Sequence, residues 1–394
     1  MTTQATPNAN DKVKGGILHM AMELSQKQWL IAFSDGARRR QVTVSARDLK
    51  ALGAAIEAAK VKLKLPVEAR VVSCYEAGRD GFWIDRALKA MTVENLIMDS
   101  SSIEVNRRRR RAKNDRIDAG KLLTLLERYV RGEPKAFAIV HALPEEDEDF
   151  RRPVRELKRL NKEAGALVSR IRSHLATQGI ELGPVSGKDW PQTVAKLKLW
   201  DGKPLGQNLQ QGLVRDGERL ALVCRQIREI KAQFKQLEKQ ARETAAAGNA
   251  APDAPMQKIV RLQGMRSVGP ATAWILTAEF FGWRRFQNRR QVGSAAGLTG
   301  TPYASGSMDR DQGIDKAGNT RVRSVMNQIA WLWLRYQPDS ALTHWYNARF
   351  GTGTKRQRRV GIVALMRKLL IALWRYVEFG EIPEGAELKP GAVL

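Results

Sequence analysis

Ile17-Leu-His-Met-Ala-Met-Glu-Leu24, Gln28-Trp-Leu-Ile-Ala-Phe-Ser34 and Arg39-Arg-Gln-Val-Thr-Val44 decide how the first third of the chain folds. The three runs are short, apolar or alternating, and Asp35-Gly36 supplies a turn between the second and third, so they read as a β-meander. Residues 46–63 carry Ala, Leu and Lys at helical spacing. ARVVSCY (residues 69–75) reads as a fourth strand, 82–91 as a helix, 95–98 as a short strand and 115–130 as a helix.

The resulting order, β-β-β-α-β-α-β-α, predicts a ribonuclease-H-like α/β domain over residues 15–135, after a polar lead at 1–14 that reads as disordered. Pro134, Pro144 and the acidic run Glu145-Glu-Asp-Glu-Asp149 mark a boundary. Residues 136–250 then read as a linker and a helical arm. Residues 153–178 are charged and helical, 179–206 are rich in Gly and Pro, and 209–245 are again helical. Leu213, Leu220, Val223, Ile227, Ile230, Phe234 and Leu237 recur by threes, fours and sevens there, which suggests an antiparallel coiled-coil arm. Residues 251–385 form a last domain, mostly helical and basic. Within it, LQGMRSVGPATAWILTAE (residues 262–279) resembles a helix-hairpin-helix, in which backbone amides near Gly269 would hold a DNA phosphate.

Composition narrows the function class. The 394 residues hold 67 Lys and Arg against 41 Asp and Glu, a net charge of +26, and are 43% apolar. That points to two or three folded domains with a polyanionic partner, nucleic acid before a membrane surface. Two distant cysteines and four scattered histidines exclude a disulfide framework and a Cys/His zinc site. No apolar run reaches the roughly 18 residues of a membrane span, and the first residues lack a signal-peptide core. The expected setting is cytoplasmic, with nucleoid association while the protein acts.

Four carboxylates stand out. Glu23 ends the first strand, Glu76 ends the fourth, and Asp115 and Asp118 open the helix that follows. Asp118, Leu122, Leu125 and Tyr129 share helical spacing, so the acids extend a stripe that should face the sheet. Converging carboxylates repel one another, and hard divalent cations relieve that repulsion. Two Mg²⁺ ions roughly 4 Å apart suit phosphoryl transfer. Taken singly, each acid is better explained as a helix-start or surface residue; together, on a strand order that converges them, they read as a site. Asp35 belongs to a turn, and Asp80 and Asp85 to a solvated helix start.

Arg107, Arg108, Arg109, Arg110 and Arg111, with Lys113, directly precede the two aspartates and suit backbone phosphates. Further basic tracts are Arg284-Arg285, Arg289-Arg290 and Lys355-Arg-Gln-Arg-Arg359. The loop 297–306 leads into residues 313–321, which end at Arg321. By spacing alone, Ser305 in that loop is a turn residue.

Several of these stretches together resemble the transposases of the DEDD insertion-sequence family, whose members are guided by a bridge RNA. They are AMELSQKQW (residues 21–29), YEAGRDGFW (75–83), RAKNDRIDAGKL (111–122), GMRSVGPATA (264–273), AAGLTGTPYASG (295–306) and GIDKAGNTRVR (313–323). The resemblance covers roughly residues 17–130 and 256–380. It implies a RuvC-like N-terminal domain with an Mg²⁺-binding acidic tetrad at Glu23, Glu76, Asp115 and Asp118. The first position is typically Asp in the family, and Glu23 is one methylene longer. It also implies a C-terminal serine nucleophile at Ser305, with Ser307 and Ser294 as rivals, and nucleic-acid contacts at Gly269 and Arg321. Expected partners are donor and target DNA, a bridge RNA, and copies of the chain as a dimer, or a tetramer in the synaptic complex. The alternatives are a RuvC-like Mg²⁺-dependent nuclease or junction resolvase that uses water, and a basic nucleic-acid-binding protein without catalysis.

Overall fold

The structure is a computed structural model that describes residues 16–103, 115–181, 183, 185, 189–249, 251, 253–305 and 308–392, with side chains left out at 115 and 302–312. The lead at 1–14, the arginine run with Lys113, and Ser307 lie outside the described residues. The chain folds as two compact units that meet in sequence between Leu143 and Pro144.

In the first unit, β1 (Ile17–Leu24), β2 (Gln28–Ser34) and β3 (Arg39–Ser45) form the meander. They are followed by α1 (Leu49–Leu63), β4 (Arg70–Glu76), α2 (Trp83–Ala90), β5 (Glu94–Met98) and α3 (Asp115–Val130). A two-residue strand, β6 (Ile139–Val140), adds to the expected order. The sheet order is β3-β2-β1-β4-β5-β6, with β1, β4 and β5 parallel and the other pairs antiparallel.

Strand alternation divides the side chains between two cores. Leu18, Met20, Met22, Ile31, Phe33 and Tyr75 face α1 and α2. Ala21, Ala32 and Cys74 face α3, which covers them with Ala119, Leu122, Leu123 and Leu126. Ala21 lies in register with both Ala32 and Cys74. This row of small side chains lets α3 lie close over the middle of the sheet.

The second unit contains α4 (Glu145–Ala176), α5 (Trp190–Lys196), α6 (Gln207–Ala246), α7 (Pro255–Gly264) and α8 (Pro270–Leu276). A π-helical turn, Thr277–Phe281, leads to α9 (Arg289–Ala295) and the hairpin β7 (Gly300–Ser305) and β8 (Met308–Ile314). The chain ends through α10 (Thr320–Tyr336), α11 (Ala341–Tyr346) and α12 (Lys355–Phe379). One core runs from Val154 to Val377, so α4 and α6 share it with the C-terminal helices.

Three local expectations change. The acidic run 145–149, read as part of a boundary, is the first turns of α4, directly after the division between the units: acids suit the positive end of a helix. The helix continues through Pro153 because Phe150 stacks on Trp274 at 5.6 Å and Val154 is buried, which outweighs the hydrogen bond Pro153 cannot make. The Gly/Pro-rich stretch contains α5, whose Trp190 is buried and donates to the Leu213 carbonyl at 2.7 Å. Leu237, placed in the apolar series of α6, is 41% exposed, because burial passes from Phe234 to Ala241.

Candidate active site

Glu23 and Glu76 come together at the ends of neighbouring parallel strands. Met22 is in register with Tyr75, so the next residue on each strand is a carboxylate. Both point to the α3 face, because Ala21 and Cys74, two residues earlier, pack against that helix. They line an open cleft of about 430 Å³ with Ser25, Gln26, Arg79 and Asp80.

The backbone around the cleft is fixed. Ala77 N–H donates to the Met98 carbonyl at 2.8 Å. The Tyr75 hydroxyl donates to the Gly81 carbonyl at 3.0 Å and closes the loop after Glu76. On the other strand, Ser25 donates to the Gln28 carbonyl at 2.5 Å and holds the turn beyond Glu23.

Helix α3 brings its first turn to the same level. Cys74 Sγ contacts the Leu122 carbonyl at 3.7 Å. Near the other end of α3, Glu127 lies by the start of β1, where it bonds Arg39 at 2.7 Å and acts on His19. The helix therefore runs opposite to β1 and β4. Going back from Leu122 to Asp118 covers about 6 Å of helix. Going on from Cys74 to Glu76 covers about 6.6 Å of strand. Asp118 thus stands level with Glu76, on the helix face of Leu122. Its side chain is 27% exposed and pairs with Lys121 at 2.8 Å. Asp115 is the first residue of α3, one heptad before Leu122.

Two acids set aside in the sequence have other places. Asp80 is in the cleft itself, 14% exposed and paired with Arg79 at 3.3 Å. Asp85 is buried, not solvated: it accepts from Asn95 at 2.8 Å and from Lys89 at 2.7 Å. Hard carboxylate oxygens are the donors a divalent cation such as Mg²⁺ takes. Among the described residues, no group of three or more Asp, Glu, His or Cys is gathered to hold a metal.

In the second unit, Ser305 is the last residue of β7, in register with Met308. The base of that hairpin is tied to the helices beside it. Asp315 N–H donates to the Thr299 carbonyl at 3.0 Å, and Asn319 N–H to that of Ala295 at 3.2 Å. Arg323 donates to the carbonyls of Ala296 and Gly318 at 3.0 and 2.7 Å. Two glycines make this junction possible. A Cβ on Gly318 would stand 2.3 Å from Gly297 N, and Gly297 itself has φ +63°. Ser294 is exposed on α9, away from a strand end. Gly269 caps α8, and the turn before it is pinned by Lys389, which donates to the carbonyls of Gln263 and Val268 at 2.7 and 2.8 Å.

Arg321 opens α10 and faces Glu279, a fully buried carboxylate in the π-helical turn. Arg155 grips Glu279 at 2.8 and 3.0 Å, and Arg151 at 2.9 Å. Burial pushes this carboxyl up, but the two arginines outweigh burial and hold it at about 2. A lone acid inside AWILTAEFFGW (residues 273–283) is the sequence signal for such a paired charge.

The profile of the family described as "Transposase IS116/IS110/IS902 family" matches residues 260–344, which hold Glu279, the hairpin and α10. The chain is 38% identical over 386 residues to the putative transposase y4rJ of Sinorhizobium fredii, covering 95% of each protein. It is 26% identical over 195 residues to the transposase for insertion sequence element IS1328 of Yersinia enterocolitica, 48% of this chain and 53% of that protein. A second putative transposase of Sinorhizobium fredii, y4qE, is 26% identical over 270 residues, 68% of this chain and 60% of its own length. No helix among the described residues is long and apolar enough to cross a membrane. With similarity running nearly end to end, the chain belongs to the IS116/IS110/IS902 family of insertion-sequence transposases.

Proposed function

We propose that this transposase is an RNA-guided DNA recombinase that cuts and exchanges donor and target strands through a covalent phosphoserine. The observation that carries the reading is the pairing of Glu23 and Glu76 on adjacent parallel strand ends, with the start of α3 level with them. A protein that only coats DNA gains nothing from carboxylates brought side by side against a phosphate backbone. The meander followed by parallel strands supports a RuvC-like domain. The net charge of +26 supports a guide RNA beside the DNA, with base pairing reading sequence and the protein gripping backbone.

In this reading Ser305 Oγ attacks the phosphorus of a DNA strand. The P–O3′ bond breaks, the 3′ oxygen leaves as a hydroxyl, and the 5′ phosphate stays on the serine. Attack by the 3′-hydroxyl of another strand reverses these steps and restores Ser305, so bond energy is conserved. A serine hydroxyl is a weak nucleophile and needs activation. Glu23, Glu76, Asp115 and Asp118 would hold Mg²⁺, with Asp80 close by. Bound there, the metal would supply charge stabilisation for phosphoryl transfer. Dimers, and tetramers in the synaptic complex, complete the proposal.

The test is strand exchange between labelled donor and target DNA, with Mg²⁺ and the RNA transcribed from the element's flank. Exchange should require the RNA and vanish in Ser305→Ala. Exchange that persists in Ser305→Ala overturns the serine role; strand cutting without exchange points to a nuclease that uses water.

A further inference from the structure

Four guanidiniums in the second unit gather around one acid. Both oxygens of Glu279 are used by Arg151 and Arg155, Asn319 Nδ2 lies 3.3 Å from one of them, and Arg321 stands 3.7 Å from the other. Arg284 stacks on Trp283 with its central carbon 4.4 Å from the ring centroid, and lies over Phe280 at 5.7 Å. Arg151 covers the same Trp283 at 5.3 Å. Arg284 has no carboxylate within ion-pair distance among the described residues. Asp147 and Glu148, in the first turns of α4, act on Arg151 and Arg155 through their fields.

This arrangement is short of negative charge. Arg151 Nε and Arg284 Nε are buried and make no hydrogen bond. Each is a buried donor that a ligand oxygen would satisfy. Burial, and then the neighbouring Arg151, push Arg284 below the ordinary arginine value; burial does the same to Arg151 in spite of Glu279. The side chains of Arg155 and Arg321 are 42% and 39% exposed, so the cluster can be reached from solvent.

We propose that Arg151, Arg155, Arg284 and Arg321 form a phosphate-binding site that takes one backbone phosphodiester of a nucleic-acid strand. Guanidiniums pair with phosphate through parallel N–H bonds, and stacking on Trp283 fixes the plane of Arg284 for that purpose. Arg321 and Arg284, the latter in the Arg284-Arg285 tract, are the members already singled out in the sequence. The site also has a place in the reaction. It lies at the start of α10, whose first residues tie down the base of the Ser305 hairpin through Asn319 and Arg323. A phosphate held here fixes the register of a strand against that hairpin. The inference rests on the reading of the chain as acting on DNA, and goes beyond it by naming a grip.

The experiment uses the full chain, with Arg284→Gln, Arg321→Gln and, as a charge control on α6, Arg225→Gln, which alters an exposed residue facing Glu229. Affinity for a labelled DNA duplex and for a labelled single-stranded RNA is measured across a KCl series. Losing one phosphate contact flattens the plot of log affinity against log salt by about 0.9 on duplex DNA and about 0.7 on a single strand. Arg284→Gln and Arg321→Gln should each show that change, and Arg225→Gln should not. A change on DNA alone assigns the site to DNA, and a change on RNA alone assigns it to the guide. The melting temperature of nucleic-acid-free Arg284→Gln should not fall, since a crowded cation has been removed. Slopes equal to wild type on both ligands, or an equal change in Arg225→Gln, overturn the site. Failure of the recombinase reading appears elsewhere, as absent strand exchange with the salt slopes still different.

Discussion

Replacing Glu279 by alanine tests how the second unit is held together. The change deletes three charge-assisted bonds of 2.8–3.0 Å and leaves their guanidiniums facing one another. Breaking one partner of a buried ion pair costs about 3–5 kcal/mol. The lower end applies here, because Arg155 and Arg321 can turn to water while Arg151, at 14% exposure, cannot. Titration gives a comparable size. The carboxyl ionises at about 2 in the folded protein against 4.5 in its ordinary state, a gap on the order of 3 kcal/mol. Because the folded value is depressed, this stability is fully present above pH 4.5 and is lost as the pH falls toward 2. At neutral pH, Glu279→Ala should melt about 6–12 °C below wild type, at the 2–4 °C per kcal/mol of a unit this large. The gap should close as the pH falls through that window. Thermal melts followed by circular dichroism along a pH series measure both. A loss under about 2 °C at neutral pH, or a gap that stays constant into acid, would refute the reasoning.

Gly318→Ala should cost about 2–3 kcal/mol in urea unfolding, because its Cβ would meet Gly297 N at 2.3 Å and the Ala295 carbonyl at 2.4 Å, and neither backbone can yield alone. Leu122→Ala removes a side chain that is 3% exposed beneath α3 and should cost about 2–4 kcal/mol in the same measurement. It should also lower DNA cutting more than DNA binding, because Asp115 and Asp118 ride on that helix. Glu76→Gln and Asp118→Asn keep shape but remove charge; each should slow DNA cutting by about two orders of magnitude or more while leaving affinity near wild type. Gel assays of cutting and of binding on the same samples separate the two effects.

The first unit was legible because its signals are local. The apolar runs of β1 and β2, the alternation of β3 and the turn residues around Asp35 give the meander, and the parallel pairing of β1 with β4 then puts Glu23 beside Glu76. The two-residue β6 is too short to leave a pattern. Asp80 and Asp85 look alike in sequence, yet one enters the cleft and the other, on α2, meets Asn95 on β5, a contact that packing of the helix on the strand decides. In the second unit, TPYAS and MDRDQGI carry no apolar alternation, so the hairpin with Ser305 reads as a loop until backbone pairing is seen. Glu279 was missed for a related reason. Its partners Arg151 and Arg155 lie 128 and 124 residues away, so no window of sequence contains the cluster. The acidic start of α4 resembles a solvated boundary in composition, but the helix dipole and the Phe150 contact with Trp274 settle it as helix.

The central claim, that Ser305 becomes bonded to DNA, is tested most directly on a denaturing gel. Purified protein, Mg²⁺, the RNA from the element's flank and labelled donor and target DNA are mixed, quenched and run with and without protease. The account predicts a protease-sensitive protein–DNA adduct that needs the RNA and disappears in Ser305→Ala. DNA cut to completion with no adduct, or an adduct of equal yield in Ser305→Ala, would contradict it.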